Sequence, residues 1–361
     1  LVNVAGPWVK RVRDAINGTP SKENVRHVKG SHIVVPRVHE GEHAYILQNA
    51  DKRIVFVIPY QDRYTLIGTT DVPVEAFERP EISQEEIDYL LALANTYLAQ
   101  PLSRSDVVWT FSGIRPLYDD GASDPSAITR DYVFKLDPGD DAGAVALSIY
   151  GGKITTYRKL AEHALDELKS FLPPMRPRWT KQAVLPGGDL PPGGLATWIA
   201  ELGRRFPGLP ADLLRDLARR HGTRALAILG AAKTRADLGE DFGHGLTAAE
   251  IDYLVREEWA RSGDDVLWRR TKCGIGMTDK RVQRMVRLES ALISTLGTVT
   301  GVVLGLVVGW GVIFAINRNT DAGIAMSLPL PQLALVVVLG VVLGVVASII
   351  PARRSTRLEV L

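Results

Sequence analysis

The most constraining feature of this chain is a pair of long apolar segments near its C-terminus. Residues 291–316 carry no charged side chain, and residues 330–350 form a second uncharged run. About 20 predominantly apolar residues suffice for a helix to cross a bilayer. Arginines stand on both outer flanks, at positions 281, 284 and 287 and at positions 353, 354 and 357. Because basic residues concentrate on the cytoplasmic side, the pattern predicts a two-span transmembrane α-hairpin with both ends cytoplasmic.

Small residues recur regularly in the first apolar segment. Gly297, Gly301, Gly305 and Gly309 occupy every fourth position, and such a stripe lets two helices approach closely in lipid. The alternative interpretation is a buried core hairpin of a soluble protein. Length, scarcity of charge and basic flanks together favour the membrane.

Charge and cysteine content exclude several classes of function for the rest of the chain. Lys and Arg total 43 against 41 Asp and Glu, a net charge of +2, which argues against a nucleic-acid-binding protein. The single cysteine, Cys273, can form neither an intramolecular disulfide nor a cysteine metal cluster. The chain begins at Leu1 in a strand-like run that enters a turn, so we expect it to be a fragment.

The first 160 or so residues are strand-rich. Short β-branched or aromatic runs, separated by polar residues, glycine and proline, occur at 32–36, 44–47, 53–58, 64–68 and 145–150. Their spacing predicts an antiparallel or mixed sheet. Helical spacing appears over 85–97, where Ser83 and Glu86 fit a capping box, and again over 155–172.

A Gly/Pro-rich linker over 185–194 separates this region from a helical one. The helices that we predict there cover 195–206, 211–221, 223–229 and 248–258. The fold class is therefore α+β, with a sheet-containing domain, a small helical domain and a transmembrane hairpin. The domain boundaries that we predict are 1–172, 173–275 and 276–361.

Two short segments in the first domain are weak candidates for a site. Ala5 and Gly6 end a strand, and the glycine permits a ligand to approach the backbone closely. A plain strand-to-helix turn explains them equally simply. His32 can act as an acid or base near neutral pH, although a lone histidine entering a strand is more often structural.

Two arginines form a stronger candidate. Arg115 and Arg130 lie at the ends of consecutive predicted strands, where their planar guanidinium groups would suit one phosphate or carboxylate. The alternative is that each arginine pairs with a nearby aspartate such as Asp119 or Asp131. The residues by themselves do not decide between these interpretations.

A glycine pair follows the last predicted strand of the first domain. Gly151 and Gly152 precede Lys153, Ile154 and Thr155, where a helix begins. Free amides and the positive end of the helix dipole favour an anion or an electron-rich ring at such a place. An ordinary glycine turn with a solvated lysine is the alternative. The spacing is not that of a Walker loop.

Read in order, these segments closely resemble the bacterial aerobic glycerol-3-phosphate dehydrogenases. The resemblance is colinear from Val2 to about Gly274. The segments that carry it are VNVAGPWV, VKGSHIVVPRVH, AYILQNADKRIVFVIPY, LIGTTDV, SGIRPLYDD, AITRDYVF, GGKITTYRKLAEHAL, LPGG, DLGEDFGH and EEWARSGDDVLWRRTKCG.

The resemblance implies a D-amino-acid-oxidase-type fold followed by a helical C-terminal domain. It also implies the cofactor FAD and the oxidation of sn-glycerol 3-phosphate to dihydroxyacetone phosphate, with electrons passed to quinone at the cytoplasmic face of the plasma membrane. A homodimer is a further expectation. Because oxygen-using enzymes share these motifs, the electron acceptor stays open.

The same resemblance implies roles for individual residues. Arg115 and Arg130 match substrate-binding arginines. His32 matches a histidine near the substrate carbinol, and Lys153 matches a lysine beside the flavin ring, so the catalytic set is His32, Arg115, Arg130 and Lys153. The cofactor-binding set is Ala5, Gly6, Gly152, Lys153, Ile154 and Thr155. No metal site is expected.

The chain departs from this family at both ends. A G-x-G-x-x-G dinucleotide fingerprint is absent from the sequence, so we expect the chain alone to bind FAD poorly or not at all. Residues 276–361 instead resemble the C-terminal end of an FtsX-like ABC transporter permease. Three hypotheses stay open: an oxidoreductase fragment, a permease fragment, and an inactive chimera of the two.

Overall fold

A computed structural model describes residues 1–49, 51, 53–119, 131–138, 144–277, 301 and 304–313. The chain divides into two compact units, Leu1–Ala183 and a second that begins at Val184. Each unit has its own hydrophobic core.

Within its described residues, the first unit combines two sheets with three α-helices. Its strands are β1 (Val2–Asn3), β2 (Asn24–Pro36), β3 (Tyr45–Gln48), β4 (Ile54–Tyr60), β5 (Tyr64–Gly68), β6 (Val72–Pro73), β7 (Trp109–Asp119), β8 (Val133–Asp137) and β9 (Ala146–Tyr150). Its α-helices are α1 (Val9–Asn17), α2 (Gln84–Asn95) and α3 (Tyr157–Glu167).

The larger sheet is antiparallel and is built around the long strand β2. One edge of β2 pairs with β7, and β2 also pairs with β5 and β6; β4 and β3 extend the sheet beyond β5. Because side chains alternate along a strand, the odd-numbered residues Ile33, Val35 and Ile67 share one face. That face packs against Ile87 and Leu90 of α2.

The smaller sheet has the order β1-β9-β8, with β1 parallel and β8 antiparallel to β9. This arrangement confirms the expectation of mixed sheet pairing. Leu147 and Ile149 of β9 pack against Ala164 and Leu168 on the α3 side. Buried Arg13 of α1 joins the same sheet through two hydrogen bonds to Asp137, of 2.7 and 2.8 Å.

Predicted and observed elements of the first unit agree where local signals are strong. The capping box is present, with Ser83 accepting from the Glu86 amide and Glu86 accepting from the Ser83 amide. Strand β5 covers 64–68 as predicted, whereas β2 begins eight residues before the predicted position 32. That early part of β2 is polar, and pairing with β7 keeps it extended.

The second unit is mainly helical. It contains α4 (Gly194–Arg205), α5 (Ala211–His221), α6 (Ala225–Leu229), α7 (Ala248–Glu257) and the short strands β10 (Asp241–Gly243) and β11 (Leu246–Thr247). A π-helical turn covers Asp265–Arg270. Its core is rich in leucine and includes Leu202, Leu213, Leu214, Leu217, Leu254 and Leu267.

The predicted membrane hairpin falls almost entirely outside the described residues. Residues 304–313 within the first predicted span are helical, and the second span, 330–350, is not described. Among the residues that the structure does describe, no helix combines the length and the apolar character needed to cross a bilayer.

Candidate functional site

His32 lies on the face of the larger sheet that does not pack against α2. It pairs with Gly68 on one side and with Phe111 on the other. The imidazole stacks on the Phe111 ring, with centroids 4.8 Å apart and planes 5° apart. A Cβ atom at position 68 would lie 2.3 Å from the His32 Cδ2 atom, so a glycine there makes room for the ring.

The environment of His32 disfavours its charged form. Burial lowers the pKa of this imidazole to about 4, and the positive charge of Arg115 contributes. The Nδ1 atom is buried and has no hydrogen-bond partner among the described residues. His32 is therefore a neutral ring at pH 7, the form that can accept a proton.

Arg115 is on β7 and shares the face of His32. In the register of the two strands, Arg115 pairs with Val28 and Phe111 with His32. Because paired residues share a face and Val28 and His32 are both even positions of β2, the Arg115 and His32 side chains lie on the same face. The guanidinium forms an ion pair with Asp71. It also donates to Thr69 Oγ1 over 3.2 Å and to the Thr70 carbonyl over 3.5 Å.

A buried carboxylate on the opposite face supports the loop that holds Arg115. Glu86 accepts hydrogen bonds from Thr70 Oγ1 and Ser31 Oγ, over 2.7 and 2.9 Å, and pairs with Lys29 Nζ at 2.8 Å. Burial raises the pKa of Glu86, but these donors and the Ser83 amide outweigh it, so the pKa lies below its usual range. The capping carboxylate of α2 is thus also an anchor for residues 69–71.

Two further candidate segments meet at one edge of the smaller sheet. Ala5 and Gly6 follow β1, while Gly151 and Gly152 follow β9. Because β1 and β9 are parallel neighbours, both loops leave the sheet at its carboxyl edge, where ligands bind in many α/β proteins. Gly151 and Gly152 have φ angles of 71° and 98°, which residues other than glycine rarely adopt.

The glycine pair also adjoins the strand that carries Arg115. A Cβ atom at Gly151 would lie 3.1 Å from the Asp131 carbonyl oxygen and 3.6 Å from that of Pro116. Pro116 directly follows Arg115, and Asp131 directly follows Arg130. Arg130 itself lies outside the described residues, so its placement is not part of the geometry.

Lys153, Ile154 and Thr155 are exposed beside the glycine pair. A 3₁₀ turn covers Ile154–Thr156, and Thr156 donates to the Lys153 carbonyl through its amide and its hydroxyl, over 3.0 and 2.9 Å. Ile154 is 86% exposed, unusually so for a large apolar side chain. Within the described part of the chain, Lys153 has no ion-pair partner.

The sequence indicates His32 and Arg115 as candidates but does not indicate what surrounds them. The predicted alternative partner of Arg115 was Asp119, yet Asp119 pairs with Arg26 at 2.9 Å and Asp71 pairs with Arg115. The segment LIGTTDV, which includes Asp71, was available as a signal because it belongs to the colinear set. Nothing local pointed to Phe111 as the stacking partner of His32.

Two family models match the part of the chain that forms these units. The FAD dependent oxidoreductase model matches residues 1–158, and the model of the C-terminal domain of alpha-glycerophosphate oxidase matches residues 178–297. A third model, the FtsX-like permease C-terminal, matches residues 271–360.

Individual relatives agree with the first two models. The aerobic glycerol-3-phosphate dehydrogenase of Escherichia coli is 51% identical over 287 residues, which cover 79% of this chain and 57% of that protein. A glycerol-3-phosphate dehydrogenase of Pseudomonas aeruginosa is 46% identical over 79% of this chain and 56% of its own length. D-erythritol 1-phosphate dehydrogenase of Brucella abortus is 44% identical over 77% of this chain and 55% of its own length. The chain thus spans little more than half of these relatives.

A solved structure with a similar fold agrees with these relatives. The glycerol-3-phosphate dehydrogenase of Bacillus halodurans, solved in complex with FAD, matches 75% of this chain and 52% of its own chain with a TM-score of 0.61 and 29% identity. From its first residue through the second, helical unit, this chain is therefore similar in sequence and fold to the FAD-dependent glycerol-3-phosphate dehydrogenases.

Proposed function

We propose that this chain supplies the substrate-binding part of an FAD-dependent dehydrogenase that oxidises sn-glycerol 3-phosphate to dihydroxyacetone phosphate. The observation that carries the proposal is the position of His32 and Arg115 on one face of the larger sheet, away from α2. A proton acceptor and a cation on one surface suit a substrate that has a carbinol and a phosphate.

Arg115 binds the phosphate in this proposal, together with Arg130. The guanidinium of Arg115 uses only some of its five donors on Asp71, Thr69 and Thr70. Its side chain is 32% exposed, so the remaining donors are accessible to an anion. Holding the phosphate there orients the carbinol for reaction.

His32 takes the hydroxyl proton of the substrate. Oxidation of the carbinol removes a hydride from carbon and a proton from oxygen, and a neutral imidazole accepts that proton. With its low pKa, His32 by itself is a weak base. A phosphate dianion beside Arg115 would offset the charge that depresses the pKa, so substrate binding itself would strengthen the base.

The residues around the glycine pair fit the proposed cofactor, FAD. Gly152, Ile154 and Thr155 form an exposed turn that a flat ring can approach, and Lys153 is an exposed cation on that turn. Ala5 and Gly6 adjoin at the same sheet edge. When bound, FAD supplies the acceptor of the hydride. Lys153 would place a positive charge beside the bound ring.

The order of domains completes the proposal. Residues 1–172 form the oxidoreductase part, 173–275 the helical C-terminal domain, and 276–361 a basic helix with two spans, 291–316 and 330–350. The spans would hold the chain at the cytoplasmic face of the plasma membrane, where quinone accepts the electrons, and the enzyme would be a homodimer. Two observations support the membrane assignment: residues 291–316 and 330–350 carry no charged side chain, and residues 271–360 match a permease model. Retention of the full chain in membranes after alkaline carbonate washing tests it; release would overturn it.

The activity is tested by supplying the flavin-binding half in trans. Co-expression with the N-terminal half of the Escherichia coli relative should give a chain-dependent, dye-linked oxidation of glycerol 3-phosphate. D-Erythritol 1-phosphate is assayed in parallel, since one relative carries that name. Failure of both substrates in a flavin-loaded complex would refute the proposal.

Arg115→Ala is the informative variant in that assay. Loss of a charge-assisted phosphate contact of about 1.5–3 kcal/mol should lower kcat/KM by roughly tenfold to a hundredfold. Arg26→Ala is the matched control, because Arg26 lies on the same sheet and pairs with Asp119. Equal kinetics of the two variants would remove Arg115 from the site.

A second candidate is an inactive chimera of two truncated proteins. The match of residues 271–360 to a permease end, overlapping a dehydrogenase model that ends at 297, favours it. Amplification of source DNA across the codons for 268–292 tests the junction: a continuous product is expected for a natural joined chain, and failure to obtain one would show that the joined chain does not exist.

A further inference from the structure

A cavity lies in the first unit, on the opposite side of the larger sheet from His32. It has a volume of about 380 Å³ and is formed by the β3–β4 hairpin and the C-terminal end of α2. Leu47 and Val57, which are in its wall, belong to the α2-facing side of the sheet. The cavity is therefore separate from the proposed active site.

One histidine ring stands among aliphatic and tyrosine side chains in the wall of this cavity. Six aliphatic side chains, among them Ala94 and Leu98, and the tyrosines Tyr45 and Tyr97 line the cavity together with His39. Both ring nitrogens of His39 are buried and lack a hydrogen-bond partner among the described residues. A buried polar atom without a partner costs about 1–3 kcal/mol, so two on one ring call for a group that satisfies them.

The surroundings of His39 do not favour a metal ion. Its ring lies 5.3 Å from the His43 ring and meets Tyr45 edge-on at 5.1 Å, centroid to centroid. Throughout the described ranges, no group of three or more histidine, cysteine, aspartate or glutamate side chains could hold a metal. The aromatic packing instead leaves the His39 ring nitrogens as hydrogen-bonding groups in the wall of the cavity.

Volume and lining together define the ligand. Small-molecule sites are cavities of roughly 300–1,000 Å³ with apolar and aromatic walls and a few polar groups that set orientation. We infer that this cavity binds a small, planar, mostly apolar ring that carries a hydrogen-bonding oxygen. The oxygen meets one nitrogen of His39, while the ring lies among the aliphatic walls and the two tyrosines.

The probe for this site is 2-naphthol, an apolar double ring with one hydroxyl group. Binding to the purified full chain is followed through probe fluorescence, and the histidine Cε1–H resonances are followed by NMR. The chain has seven histidines, and the signal missing from His39→Phe identifies His39. We expect saturable binding that shifts the His39 signal and leaves that of His32 in place.

Three variants locate the probe. His39→Phe keeps the ring but removes both nitrogens, so affinity should fall about threefold to tenfold, the value of one hydrogen bond. Ala99→Trp adds bulk at an exposed position of the cavity wall and should lower affinity by at least about tenfold. His43→Phe makes the matched change on a ring outside the wall and should leave affinity unchanged.

Other results overturn the inference. Absence of binding to the wild-type chain at about 1 mM probe, the affinity of a weak fragment, would show that the cavity takes no such ring. Equal affinity of wild type and Ala99→Trp would place the probe elsewhere, and Ala99→Trp stays informative if His39→Phe fails to fold. Equal losses in the His39 and His43 variants would remove the specific role of His39.

Discussion

The stability of the second unit should depend strongly on its buried carboxylate, Glu250. This side chain is fully buried and pairs with Arg220 through two bonds of 2.7 and 2.8 Å. It also lies 2.7 Å from His221 Nε2. Glu250→Gln keeps the shape but removes the charge, so Arg220, whose side chain is only 12% exposed, loses the carboxylate that it hydrogen-bonds and keeps the nearby charge of Asp216.

The expected loss is large because the Glu250 carboxylate is fully buried and the Arg220 side chain is mostly buried. Removing one partner of a buried ion pair costs about 3–5 kcal/mol. Glu258→Gln is the matched control, since Glu258 approaches the other nitrogen of His221 at 3.4 Å but is 35% exposed. An exposed pair contributes about 0–1 kcal/mol.

Hydrogen exchange measured by mass spectrometry resolves this difference in the full chain. Since 1.4 kcal/mol is tenfold in an equilibrium constant, peptides of α5 and α7 should exchange about a hundredfold faster or more in Glu250→Gln. The control should change them by less than about fivefold. Similar protection in both variants would refute the reasoning.

The same carboxylate predicts a dependence on pH. Burial raises the pKa of Glu250, but His221 and Arg220 outweigh it and hold the pKa below its ordinary value of 4.5. A lowered folded-state pKa stabilises the fold above the ordinary pKa and loses that effect as pH falls below it. The advantage of wild type over Glu250→Gln should therefore shrink below about pH 4.5; a constant difference down to pH 3 would contradict it.

Two further predictions follow from single positions. His32 should titrate with a midpoint of about 4 in a histidine NMR experiment, because burial and Arg115 disfavour its charged form; a midpoint above 6 would show an accessible ring. Gly222→Ala should destabilise the second unit by about 3 kcal/mol, since its φ is 57° and a Cβ atom would lie 1.9 Å from the Gly187 carbonyl oxygen. Gly203→Ala is the control, because Gly203 is in a helix and a Cβ atom added there meets no neighbouring side chain or other element within 4 Å. This variant should raise the free energy of unfolding in urea by up to about 1 kcal/mol. Equal changes in the two variants would contradict this packing.

Elements with strong local signals could be predicted from the sequence. Helix α5 begins and ends at the predicted residues 211 and 221, and the capping box of α2 forms between Ser83 and Glu86. Both depend on contacts within a few positions of the chain, namely helical periodicity and a cap three residues away. The π-helical turn over 265–270 had no such signal, because its apolar and charged residues also fit an α-helix.

The candidate site was only partly predictable. His32, Arg115 and Lys153 stood out as residue types in motifs, and the resemblance assigned their roles. The partner of Arg115 could not be predicted in this way, because Asp71 is 44 positions away in the sequence. Strand pairing decides that Arg115 pairs with Asp71 and that Asp119 pairs with Arg26. The hydrogen bond that Glu86 accepts from Thr70 could not be predicted either, because it forms only when α2 packs against the sheet.

The two apolar segments that predict a membrane hairpin are a property of the sequence itself. So is the colinear order of dehydrogenase motifs, which two family models and a 51% identical relative confirm. Tertiary structure alone decided which face of the larger sheet carries His32, and that His39 stands without a partner in a separate cavity. The physical reason is that composition and periodicity act over a few neighbouring residues, whereas burial and strand register depend on contacts between distant ones.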